Sequence, residues 1–309
     1  MEKEYSIVIP VLNEEESIRE LIEKIEKSFK GKSNFEVIFV DDGSTDNTLS
    51  VLKSLERDKK FIKTFSFRRN LGKSAALMQG FKFATGKYVA TLDGDLQDDP
   101  SNIKELKERM VKGDLDLVSG WRKNRKDTVF KKISSMFFNK IVSMLFKLKV
   151  HDLNGGLKLY KNEVVKELHI YGGMHRFIPI IAKELGFRVG EREILHHPRK
   201  YGHSKYKSSK IITEIPDLIT IYFLSNYTRR PLHFFGRVGT FIFILGLIVL
   251  AYLTWLHFMG ARIGTRPLLF LGVLLVLAGI QTIFTGLLAD LLVHTKRKDT
   301  DYPIKYASS

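Results

Sequence analysis

Asp93-Gly94-Asp95 places two carboxylates on either side of a glycine, within the run Asp93-Gly94-Asp95-Leu96-Gln97-Asp98-Asp99-Pro100, and a second acidic run stands upstream at Asp41-Asp42-Gly43-Ser44-Thr45-Asp46. Adjacent uncompensated carboxylates repel one another and call for a counter-ion. Hard oxygen donors suit Mg²⁺ or Mn²⁺, and Mg²⁺ commonly joins one or two carboxylates to the phosphate oxygens of a substrate. The chain has 50 Lys+Arg against 34 Asp+Glu, a formal charge of +16, so acidic clustering of this kind is not a by-product of composition. Asp46 and Asp99 read more simply as turn and helix-cap residues. The glycine between Asp93 and Asp95 lets a ligand approach both closely.

Chemistry of this kind needs rigid elements to bring the two runs together. Residues 5–10, 36–40, 62–67, 88–92 and 117–120 are short, rich in β-branched or aromatic residues and bounded by polar turns, as strands are. Between them, residues 17–29 space Ile18, Leu21, Ile22 and Ile25 as a helix does, and residues 47–55, 74–84 and 101–111 carry shorter helical patterns. Such alternation predicts an α/β fold, a mainly parallel sheet covered by helices on both faces. Ligands of these sheets sit beyond the carboxyl ends of the strands. Both acidic runs follow such ends, at Val40 and Leu92, and so are expected to face one crevice.

The rest of the chain is of another kind. The mean hydropathy of −0.08 averages a soluble-looking region, up to about residue 230, with two stretches, 238–261 and 267–289, that contain no Asp, Glu, Lys or Arg. Each exceeds the ~20 residues that cross a bilayer as a helix, which excludes an ordinary soluble enzyme. The absence of cysteine excludes a disulfide framework, a Cys-zinc site and a thiol nucleophile. Residues 1–4 are charged and run straight into a strand, unlike a secretory signal. Arg229, Arg230 and Arg237 precede the first span, Lys296, Arg297 and Lys298 follow the second, and only Arg262 and Arg266 lie between. This asymmetry predicts a multi-pass membrane protein with its catalytic part and both termini in the cytoplasm. Residues 130–148 form an amphipathic pattern, either packed on the core or lying among lipid headgroups, and residues 211–222 would lead the chain onto the bilayer. The expected division is 1–210 catalytic, 211–232 juxtamembrane, 233–295 transmembrane and 296–309 tail. His196-His197 reads as structural, and nothing in the pattern calls for nucleic acid.

Familiar nucleotide motifs are missing. No G-x-G-x-x-G follows the first strand, and Leu71-Gly72-Lys73-Ser74 only superficially resembles a P-loop, because Phe67 stands where its first glycine belongs. By contrast, Ser6-Ile7-Val8-Ile9-Pro10-Val11-Leu12-Asn13-Glu14, Val40-Asp41-Asp42-Gly43-Ser44-Thr45-Asp46 and Leu92-Asp93-Gly94-Asp95-Leu96-Gln97 resemble the family 2 glycosyltransferases of GT-A fold. The run Arg199-Lys200-Tyr201-Gly202-His203-Ser204-Lys205-Tyr206, followed by two apolar spans, is similar to the polyprenyl-phosphate branch, which includes bactoprenol glucosyltransferases and dolichyl-phosphate mannose synthases.

The resemblance implies inverting transfer of a hexose from a nucleotide sugar to polyprenyl phosphate at the membrane lipid surface. It implies that Pro10, Asn13, Glu14, Asp42, Asp93 and Gln97 hold the donor nucleotide, and that Asp93 and Asp95 hold Mg²⁺ or Mn²⁺ on the diphosphate. Asp152 matches the start of a family loop, although Asp152-Leu153-Asn154-Gly155-Gly156-Leu157 departs from the usual D-x-x-S-G-F. It is expected to orient acceptor or sugar, beside Asp93 and Asp95 in the catalytic set. An acceptor phosphate needs cations, for which Arg122, Arg125, Arg199 and Lys205 are the candidates. Met174-His175-Arg176-Phe177 resembles the glucosyltransferases more than the mannose synthases, which favours UDP-glucose over a GDP-mannose-dependent mannose synthase. Two further readings are a processive polysaccharide synthase, whose Gln-x-x-Arg-Trp is missing, and a noncatalytic membrane subunit that binds nucleotide sugar. Self-association into a homo-oligomer is left open by the sequence.

Overall fold

The computed structural model describes residues 3–29, 34–123, 150–198, 200–201, 230–260, 262–264 and 266–296, with single positions at 146, 148, 220, 222, 223 and 227. Two compact units divide at Leu218 and Ile219. Arg125, Arg199 and Lys205, most of segment 130–148 and most of segment 211–222 lie outside the described residues.

The first unit is built on a seven-stranded sheet of order β3-β2-β1-β4-β6-β5-β7. Its strands are β1 (Tyr5–Val11), β2 (Phe35–Asp41), β3 (Ile62–Ser66), β4 (Tyr88–Thr91), β5 (Leu117–Trp121), β6 (Lys158–Lys161) and β7 (Val189–Glu193). β1 pairs in parallel with β2 and β4, and β2 with β3, as the alternating pattern predicts. Helix α1 (Ile18–Phe29) buries Ile18, Leu21, Ile22, Ile25 and Phe29 against the sheet. Together with Ile7, Ile9, Val37 and Phe39 they belong to one apolar core, and the helix is secured by that burial more than by its own propensity. Helices α2 (Thr48–Asp58), α3 (Lys73–Phe83) and α4 (Asn102–Lys112) supply the remaining cover, with short α5 (Asn162–Glu167) and α6 (Ile178–Glu184) further along.

Two strands escape a reading of local pattern. β6 is four residues long and carries lysine at both ends, yet it sits between β4 and β5 and runs antiparallel to both. β7, with only polar residues after its first two positions, closes the sheet in parallel with β5. Neither has the apolar run or strict alternation that marks a strand, because pairing with long-range neighbours rather than local patterning selects them.

Glu36 fixes the far end of β2. Its carboxylate accepts from Ser6 Oγ at 2.7 Å, Thr85 N at 3.0 Å and Thr85 Oγ1 at 2.7 Å, and pairs with Lys3 at 2.6 Å and Lys63 at 2.9 Å. Burial pushes its carboxyl up, but these donors outweigh burial and hold it well below the usual carboxylate range. A depressed folded pKa gives stability that is present above the unfolded value, near 4.5, and lost as pH falls below it. Glu36→Gln is therefore expected to cost stability at pH 7 and to flatten the loss between pH 5 and pH 3. Urea midpoints across that range check this; equal pH slopes in both proteins would count against it.

The second unit contains two long helices, α7 (Pro231–Phe258) and α8 (Pro267–Lys296), each long and apolar enough to cross a membrane. Gly239 and Gly246 on α7 and Gly272, Gly279 and Gly286 on α8 recur every seven residues. A Cβ added at Gly279 would fall 2.6 Å from the backbone nitrogen of Phe243, so close backbone approach, rather than apolar sequestration, holds this hairpin together.

Candidate active site

Because β1 lies between β2 and β4, its carboxyl end separates the two acidic runs, and the residues that follow it tie down the first of them. Asn13, in a left-handed conformation with φ 50°, donates its backbone N–H to Ser44 Oγ at 2.8 Å, and its side-chain oxygen accepts from Thr45 N at 2.8 Å. Glu14 N–H donates to Thr48 Oγ1 at 2.8 Å. Asp42 is buried and accepts from Leu71 N at 2.7 Å and Gly72 N at 3.0 Å, which fixes the start of α3. Asp46 and Asp99 accept from Thr48 N and Ser101 N, the turn and cap contacts expected of them.

Past β4 the chain turns through Asp93-Gly94-Asp95, with Leu96 at φ 60° and Asp95 Oδ1 accepting from Gln97 N at 3.2 Å. A non-glycine residue in this conformation costs on the order of 1 kcal/mol and is kept where the surroundings over-determine it. Asp93 is held by Lys73, the first residue of α3, at 2.5 Å. Burial disfavours its charge, but Lys73, with Arg122 and Lys158 nearby, outweighs burial and holds the carboxyl below its ordinary range. Gly156 backs the same carboxylate so closely that a Cβ there would sit 2.5 Å from Asp93 Oδ2. A side chain at this position would require the Asp93 carboxylate to shift.

Asp152 and Arg122, expected in separate roles, meet as a bidentate pair: Arg122 Nε donates to Oδ2 at 2.7 Å and Nη2 to Oδ1 at 3.1 Å. Both are nearly buried. Burial alone would lower the guanidinium pKa, and the Asp152 carboxylate raises it instead. Asp98 is committed to structure, accepting from Leu157 N at 3.2 Å and facing His196 Nδ1 at 3.1 Å.

Two residues of the crevice, Lys73 and Lys158, were not singled out as site residues by sequence, and a third, His175, was read only within the run Met174-His175-Arg176-Phe177. Lys73 lies in the run set aside as a failed P-loop, and its meaning comes from Asp93. Lys158, on β6, is fully buried; burial and the neighbouring cations Lys73 and Arg122 push its ammonium down to about 8 despite Asp152. Its Nζ donates to Gly155 O. His175 lies within a short turn, Met174–Phe177, and burial beside Lys73, Arg176 and Lys158 pushes its imidazole down to about 3, so it is neutral at physiological pH.

The matched family decides what this crevice belongs to. The model of glycosyl transferase family 2 matches residues 6–169, which span β1, both acidic turns and β6. The chain belongs to this family. It is accordingly a glycosyltransferase of GT-A fold. A dodecaprenyl-phosphate galacturonate synthase of Rhizobium johnstonii is 39% identical over 306 residues, covering 97% of this chain and 90% of the relative. An undecaprenyl-phosphate 4-deoxy-4-formamido-L-arabinose transferase of Proteus mirabilis is 33% identical over 289 residues, covering 92% and 87%. Among solved structures, glucosyl-3-phosphoglycerate synthase from Mycobacterium tuberculosis, in complex with Mn²⁺, UDP and phosphoglyceric acid, superposes with a TM-score of 0.56 at 18% identity. That match covers 72% of this chain and 78% of the other, and is a likeness of fold.

The donor set of this glycosyltransferase fits a divalent cation of the hard class. Among the described residues no group of three or more His, Asp or Glu side chains could enclose an ion by itself. Asp93 and Asp95 supply two carboxylates, which suits a cation that completes its oxygen shell from a diphosphate and water.

Proposed function

We propose that this glycosyltransferase moves a sugar, with inversion, from a nucleoside diphosphate sugar to polyprenyl phosphate. The observation that carries this reading is the similarity, over 97% of the chain, to a dodecaprenyl-phosphate galacturonate synthase, a match long enough to take in both apolar helices. Asp93 and Asp95 would hold Mg²⁺ or Mn²⁺, which stabilises the charge that develops on the departing diphosphate. Pro10, Asn13, Glu14, Asp42 and Gln97 would surround the nucleoside. Asn13 and Asp42 suit this because their own hydrogen bonds to the neighbouring turns fix them before any ligand arrives.

The acceptor phosphate is ionised near neutral pH, so its attack on the anomeric carbon needs alignment more than a base. Both oxygens of Asp152 are engaged by Arg122, which supports an orienting role for the pair. Arg122 presents its guanidinium from the end of β5, and Arg125, Arg199 and Lys205 complete the proposed phosphate-binding set. The proposed division of the chain remains 1–210, 211–232, 233–295 and 296–309.

UDP-glucose is the donor that the sequence favours; the galacturonate of the relative supports an acidic sugar as a second reading. Membranes containing the protein, undecaprenyl phosphate and radiolabelled UDP-glucose, UDP-galacturonate or GDP-mannose should put label from one UDP-sugar into the lipid extract. Label from GDP-mannose alone would transfer the protein to the mannose synthases, and label from none would overturn the reading.

The arrangement of basic residues supports both termini in the cytoplasm. A reporter fused after Ser309 should then read as cytoplasmic and one inserted at Gly264 as extracytoplasmic; the reverse pattern would refute this orientation.

A further inference from the structure

Lys73, Arg122 and Lys158 all act on Asp93 by their charge, and they differ in how firmly each is held. Arg122 is the bidentate partner of Asp152, and both side chains are nearly buried. Lys158 is buried on β6, and its Nζ donates to Gly155 O. Lys73, by contrast, is 26% exposed and reaches Asp93 Oδ1 at 2.5 Å from the first residue of α3. Its flexible four-carbon stem lets the ammonium exchange one anion for another without disturbing the core.

A lysine in the first turn of a helix stands at the positive end of the helix dipole, where a cation is disfavoured. α3 has no acidic residue in its own first turn, and Asp42 takes the N–H groups of Leu71 and Gly72 that fix where the helix starts. The anion that accounts for Lys73 at this position therefore comes from another element, Asp93 beyond β4. A carboxylate assigned to a divalent cation is thus already neutralised by the chain itself. A cation drawn to Asp93 repels this ammonium and competes with it for Oδ1. A nucleoside diphosphate resolves the competition, because its phosphate oxygens accept the displaced ammonium as a charge-assisted donor.

We propose that Lys73 is a movable counter-ion, which holds Asp93 until the cation binds together with the nucleoside diphosphate and then passes to a phosphate oxygen of the sugar donor. The inference rests on the sugar transfer proposed above, with Asp93 and Asp95 as cation ligands. It makes Lys73 a positioning residue for the diphosphate and couples the two binding events: the cation binds weakly alone and tightly with the nucleotide.

The test uses the full chain in phospholipid nanodiscs and needs no turnover. Mn²⁺ binding is followed by its electron spin resonance signal, with and without UDP, in the parent, Lys73→Met and Lys73→Gln. Glutamine keeps a hydrogen-bond donor for Asp93 without the charge, and so serves where methionine disturbs the start of α3. Mn²⁺ alone should bind both variants about tenfold or more tightly than the parent, since no charge-assisted contact has to be broken first. The enhancement of Mn²⁺ binding by UDP should shrink by about tenfold or more in both, because the phosphate loses its ammonium partner. A purely structural ion pair would instead leave Mn²⁺ affinity unchanged, or lower it together with the melting temperature. Either of those results in both variants would overturn the role of Lys73 and leave the sugar-transfer reading standing. An undiminished UDP enhancement would overturn the passage of Lys73 to phosphate. Failure of the parent to bind Mn²⁺ even with UDP would overturn the metal assignment and this inference with it.

Discussion

Asp95→Asn is expected to lower sugar transfer by on the order of 10²–10³-fold with the fold intact, because it removes charge at the point where the diphosphate leaves and nothing from the core. Asp93 is the less discriminating position. It neutralises Lys73 at 2.5 Å and lies near Arg122 and Lys158, so Asp93→Asn also strands cations in a buried cluster and destabilises the unit. For Asp95→Asn the measurements are the transfer rate, the melting temperature and Mn²⁺ binding followed by its electron spin resonance signal. Loss of rate should accompany weakened Mn²⁺ binding at an unchanged melting temperature, and excess chelator should reproduce it in the parent. Near-parental turnover, or full activity in chelator, would remove the metal assignment.

Breaking the Arg122–Asp152 pair should give the largest effect on stability. The pair is bidentate, with side chains only 11% and 8% exposed, and removing one member leaves a charge buried without its partner. Arg122→Met should therefore cost about 3–5 kcal/mol. Replacing both at once, Arg122→Met with Asp152→Leu, should recover most of that loss, since apolar side chains of similar volume commonly substitute for a buried pair at little cost. Activity should not return with stability if the guanidinium serves the acceptor phosphate. Denaturant midpoints and transfer rates for the two single variants and the double variant separate these contributions. Activity that recovers in step with stability would reduce the pair to a structural device.

The two predictions differ in how visible their residues are in sequence. Asp93 and Asp95 can be read from their spacing, at the end of a strand whose identity follows from composition. Arg122 and Asp152 can each be noticed as charged residues near a strand or a loop, but their union, across 30 positions, depends on β5 and the 152–156 loop lying side by side. The same holds for the contact between Ser74 and His175, 101 residues apart, on which the tautomer of the imidazole depends.

What the sequence determined by itself was local. Period-two and period-3.6 apolar patterns gave the α/β class, the parallel strands β1 to β4 and their helices, and the acidic turns that follow β2 and β4. Freedom from charge over more than twenty residues gave the two long helices. These signals work because burial of one face, or of a whole helix in lipid, must be written into consecutive residues. The tertiary structure decided the rest. Lysine is ordinarily solvated, yet Lys158 is buried because β6 inserts antiparallel between β4 and β5, a pairing that its four residues cannot announce. Lys73 became a partner for Asp93 because Asp42 takes the N–H groups of Leu71 and Gly72 and so sets where α3 begins. Charge and burial at a site are properties of neighbours brought together by the fold, and those neighbours are distant in the chain.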